Sequence, residues 1–82
     1  MDMELGVFTL VNYGEITLKL SEIMINKNIK RTKLSKLTGV KYAVINRYYK
    51  AENIVRVDLD VLAKICYVLE CKIEDILEYV KD

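Results

Sequence analysis

Apolar positions change their spacing along this chain. In VFTLVNYGEITL, residues 7–18, β-branched and aromatic residues alternate around a polar turn that holds one glycine. A period of two marks a strand with one buried face. The segment therefore predicts two short strands, about 7–11 and 15–18, joined at Asn12-Tyr13-Gly14. A lone hairpin is barely stable in water, so it must lie on helices or on a second subunit.

From Lys19 the period lengthens. Leu20, Ile23 and Met24 fall at i, i+3 and i+4 and predict a helix over about 19–27. A second helix, Lys30 to Thr38, turns Leu34 and Ser35 inward, and Gly39 supplies the left-handed geometry that ends it. A third runs from about Tyr42 to Lys50, and Glu52 to Val57 reads as irregular or briefly extended. Asp58 is placed to cap a fourth helix, with Asp60 adding negative charge to its first turn. Leu62, Ile65, Cys66 and Leu69 form its buried stripe. Ile73, Ile76, Leu77 and Val80 repeat that spacing and predict a short fifth helix. The expected fold class is mainly α: a β element over 1–18 and five helices over 19–82, together one compact domain.

Composition agrees with a small, densely packed core. A chain of 82 residues buries only about 60% of the surface it exposes when unfolded, and 52% of this one is hydrophobic. No apolar run reaches the length of a membrane span, and MDMELGVF opens with acids where a secretory signal carries bases. The expected location is cytoplasmic, without a membrane partner.

Charge adds more. The net +1 conceals a basic block: residues 27–50 hold Lys27, Lys30, Arg31, Lys33, Lys36, Lys41, Arg47 and Lys50 and no acid. The flanking segments are acidic. An ordinary solvated surface mixes signs, so a block of one sign points to a polyanionic partner.

Catalytic chemistry lacks its usual parts. There is no histidine, and the chain shows no Gly-rich phosphate loop and no nucleophile with a partner in sequence. Cys66 and Cys71 fit no zinc spacing; Cys66 reads as a small apolar core residue, and Cys71 lies just past a helix end. No enzyme activity, metal, cofactor or small-molecule ligand is expected.

The basic block coincides with a specific geometric pattern. Ser35 is followed four residues later by Gly39, with apolar Val40, Ile45 and Tyr48 one, six and nine positions beyond. A small residue lets two helix backbones approach, glycine makes the bend, and the apolar positions return the next helix to the core. That is the spacing of a helix-turn-helix. From Ile16 onward the chain resembles the Cro/C1-type (lambda-repressor-like) helix-turn-helix family, small single-domain subgroup. KRTKLSKLTGVKYAVINRYYKAEN carries the two-helix motif, and VDLDVLAKICYVLECKIEDIL the completing helices. Three positions depart from the family pattern. Lys30 stands where relatives often have a Ser or Thr cap, Arg31 where a Gln often touches the DNA backbone, and Ala51 where Gly usually follows the third helix.

The resemblance implies that the third helix enters the major groove. With Val44, Ile45 and Tyr48 inward, its outer side carries Tyr42, Ala43, Asn46, Arg47 and Lys50, with Lys41 at its start. Lys41, Tyr42, Ala43, Asn46 and Arg47 are the expected base-contacting residues. Arg47 suits guanine O6 and N7, Asn46 suits adenine N6 and N7, and Ala43 suits a thymine methyl. Lys30, Arg31, Lys50 and Asn53 are the expected phosphate contacts. Tyr49 is expected to pack within the protein. The implied function is a transcriptional regulator, expected to be a repressor, that binds double-stranded DNA as a homodimer. The competing reading is an antitoxin-like or adaptor module that turns the same fold toward an acidic protein.

Overall fold

The computed structural model describes residues 13–81. In chain order these form β1 (Glu15–Leu18), α1 (Leu20–Asn26), α2 (Arg31–Thr38), α3 (Tyr42–Lys50) and α4 (Leu59–Leu69). A 3-10 turn (Ile73–Asp75) and β2 (Leu77–Val80) follow. The four helices fall where the apolar spacing predicts them, within a residue or two at each end. The expected strand over 7–11 lies outside the described residues.

The C-terminal segment corrects one expectation. Ile73–Val80 is not a fifth helix: after the 3-10 turn the chain extends and pairs antiparallel with β1, in the register Glu15↔Val80, Ile16↔Tyr79, Thr17↔Glu78 and Leu18↔Leu77. Only Ile76 is fully buried and Leu77 half-buried, whereas Ile73 is 45% and Val80 41% exposed. Four apolar residues over eight positions match a helical period by number alone. The run LEYV packs well on a pleated surface, and β1 offers it backbone partners. The backbone N–H of Lys19 donates to the carbonyl of Ile76 at 2.6 Å, carrying the pairing past the ladder. Gly14 stands close beside this sheet: a Cβ there would lie 2.5 Å from the Val80 carbonyl oxygen.

The core takes one to three side chains from each helix. Leu20 and Met24 of α1, Leu34 of α2, Ile45 and Tyr48 of α3, and Leu62, Ile65 and Leu69 of α4 meet Val40 and Ile76. Leu18 and Leu77 close it from the sheet, while Ile16 and Tyr79, paired on the same face but farther out, remain 67% and 58% exposed. Cys66 and Cys71 are half-buried against this core.

Asp58 caps α4, its carboxylate accepting from the N–H groups of Asp60 at 2.8 Å and Val61 at 3.3 Å. The helix ends at Glu70, whose φ of 52° lets the Cys71 N–H donate to the Cys66 carbonyl at 3.1 Å. That turn sets the two thiols against each other. No helix among the described residues is long and apolar enough to cross a membrane.

Candidate nucleic-acid interface

The joint between α2 and α3 fixes the face that α3 presents. Gly39 adopts φ 77°, ψ 6°, and its N–H donates to the Ser35 carbonyl at 2.9 Å. The Ser35 hydroxyl donates to the Val40 carbonyl at 2.6 Å, and the Thr38 hydroxyl donates to the Leu34 carbonyl while accepting from the Val40 N–H. Ser35 is thus more than a small spacer: it ties the turn to α2. Val40 is buried beneath the bend.

With Ile45 and Tyr48 buried and Val44 and Tyr49 half-buried, α3 has little choice of outward side. At about 100° per residue, Ala43 and Lys50 lie opposite the core with Asn46 and Arg47 flanking them. Ala43, Arg47 and Lys50 are exposed, as is Lys41 at the helix entry, and Tyr42 stands at the flank, 43% exposed. The Arg47 guanidinium rides over the Tyr48 ring at 5.3 Å from its centroid. Lys30 is exposed at the start of α2, and Asn53 is exposed in the loop after α3, where φ is 54°.

Two expected site residues are coupled to each other. Arg31 Nη1 donates to Asn46 Oδ1 at 2.7 Å, and the guanidinium lies 4.4 Å from the centroid of the Tyr49 ring. Both residues are half-buried. The sequence places Arg31 at the start of one helix and Asn46 midway along the next; no spacing rule links them. Tyr49, expected to pack internally, does so and carries Arg31 on its face.

Electrostatics set this face apart. The two ion pairs among the described residues are Lys19–Glu78 and Lys64–Asp60, so none of the eight cations of residues 27–50 is paired with an acid there. Helix α2 begins at Lys30 without a side-chain cap, which leaves its first N–H groups and the positive end of its dipole to outside partners. Among the described residues no group of His, Cys, Asp and Glu could hold a metal ion.

Likeness to known proteins points the same way. The transcriptional regulator VanUg superposes with a TM-score of 0.66 at 28% identity, over 92% of this chain and 99% of that one. A candidate DNA-binding protein from Bacteroides fragilis superposes at 0.68, with 16% identity, over 78% of this chain and all of the other; at that identity it speaks for the fold alone. No curated protein sequence matches the chain. The family pattern described as the Cro/C1-type HTH DNA-binding domain matches residues 19–82, which takes in all four helices, the 3-10 turn and β2. The chain therefore belongs to the Cro/C1-type helix-turn-helix DNA-binding family, a family of DNA binders and not of enzymes.

Proposed function

We propose that this protein is a sequence-specific transcriptional regulator that binds double-stranded DNA through α3 and represses by occupying its site. The observation that carries the reading is the outer face of α3: Ala43, Asn46, Arg47 and Lys50 stand together, free of acidic partners among the described residues, beside the uncapped start of α2. Arg47 offers the planar fork that matches guanine O6 and N7. Lys41, Tyr42 and Ala43 lead the helix into the groove, and Ala43 is small enough to meet a thymine methyl. Lys30, Lys50 and Asn53, with the N–H groups at the start of α2, bind phosphates on the groove walls. The fold likeness to VanUg, a transcriptional regulator, supports the regulatory role.

One helix makes too few base contacts to single out a site in a genome, so the protein acts as a homodimer on two half-sites about one helical turn apart. The apolar overhang of the sheet, Ile16 and Tyr79, offers a surface on which two copies can pair. In-vitro selection from randomised duplexes tests the proposal. A two-fold symmetric motif bound far more tightly than random duplex is the expected result. Equal affinity for selected and random duplexes would refute sequence-specific regulation.

A further inference from the structure

We infer that Arg31 decides which base Asn46 reads, by holding its carboxamide so that only the amino group faces the groove. The inference rests on the DNA-reading role of α3. Arginine has five donors and no acceptor, so the Asn46 atom lying 2.7 Å from Arg31 Nη1 must be the carbonyl oxygen. The chemistry thereby fixes an amide orientation that is otherwise ambiguous. The bond is charge-assisted and stronger than a neutral one. Arg31 is itself seated on the Tyr49 ring at 4.4 Å, so the guanidinium is anchored and does not travel with the amide.

An asparagine reads adenine by accepting from N6 through Oδ1 and donating to N7 through Nδ2 at once. That needs both edges of the amide to face the base. Here Oδ1 is engaged by Arg31 of α2, and Nδ2, the other edge of the amide, is the one left to donate. Two donors then meet the base. Guanine accepts both, at O6 and N7, and thymine accepts at O4, whereas adenine accepts at N7 alone with its N6 amino group set donor against donor, and cytosine offers no acceptor. Asn46 in this protein selects a keto base, and Arg31 is the positioning residue that makes it do so. Arg31 keeps further donors for a phosphate, so it joins backbone contact to sequence preference.

The test is in-vitro selection from randomised duplexes with the wild-type protein and with N46A, R31M and R31K. R31M keeps an aliphatic stem to lie on Tyr49 and removes both the donors and the charge; R31K keeps the charge and loses the planar fork. N46A flattens one position of the motif and so identifies it. At that position the wild type selects guanine or thymine. R31M shifts the preference toward adenine by about fivefold or more, leaving every other position as it was, and R31K relaxes the same position while retaining more of the affinity. Adenine at that position with the wild type overturns the inference, as does an N46A motif unchanged at every position. It is equally overturned if R31M weakens all sequences alike with its motif unaltered. A wild-type selection that yields no motif removes the base-reading role of α3 itself, an outcome distinct from the other three.

Discussion

The hydroxyl of Tyr48 accepts the backbone N–H of Asp58 at 2.8 Å, tying the buried face of α3 to the residue that caps α4. Tyr48 is 1% exposed, and its ring also lies beneath the Arg47 guanidinium. One side chain thus fills the core, fixes the start of the next helix and supports a residue of the proposed DNA face.

Tyr48→Phe keeps the ring and removes only the acceptor, leaving the Asp58 N–H without a protein partner. A loss of about 0.5–1.5 kcal/mol is expected in urea denaturation. An unchanged midpoint would show that water takes over the hydroxyl's role without cost.

Two positions with left-handed backbone carry opposite predictions. A Cβ on Gly39 would meet nothing within 4 Å, so Gly39→Ala pays only for φ 77° and destabilises by about 1 kcal/mol. Ala51 already sits at φ 55°. Ala51→Gly relieves that strain and raises stability by about 0.5–1 kcal/mol, net of the greater freedom of glycine in the unfolded chain. Denaturant midpoints of the two variants should move in opposite directions; a shared direction would contradict the backbone argument.

Burial, and next to it the neighbouring Cys66 thiol, pushes the Cys71 thiol from about 9 up to about 11. Its thiolate is scarce at neutral pH, and greater nucleophilicity offsets only part of that scarcity, so iodoacetamide should alkylate Cys71 in the folded protein roughly tenfold more slowly than in the urea-unfolded chain. The same shift links to stability. Between about pH 9 and 11 the unfolded chain gives up this proton while the folded one keeps it. The group's contribution is whole below 9 and is lost as pH rises through 11. Labelling at the rate of the unfolded thiol would contradict the packing of the α4 terminus.

On DNA, Arg47→Ala should cost about 1–3 kcal/mol on the selected site and relax preference at one base position. Lys50→Ala should weaken all sequences alike and lower the slope of log affinity against log salt by about 1. Titrations of each variant at several salt concentrations separate the two roles. A uniform loss for Arg47→Ala would return that residue to the phosphates.

Sequence reading succeeds here where the chemistry is local. Gly39 stops α2, Asp58 starts α4, and the buried Leu62, Ile65 and Leu69 lie where a 3.6 period puts them. The tail misleads for a non-local reason: whether Leu77–Val80 coils or extends depends on β1, some sixty residues earlier, and four apolar residues cannot carry that information. The outward face of α3 is legible because its inward residues are apolar and regularly spaced. The Arg31–Asn46 bond is not, since it depends on rotamers that meet across a turn between two helices.

The central claim is that the outer face of α3 meets DNA bases. Backbone amide shifts of the labelled protein, followed by NMR as the selected duplex is added, test it most directly. The largest changes should fall at Ala43, Asn46, Arg47 and Lys50 and at the first residues of α2, with β1 and β2 little affected by the duplex itself. Shifts centred on α4 or on the sheet, with α3 silent, would contradict the account.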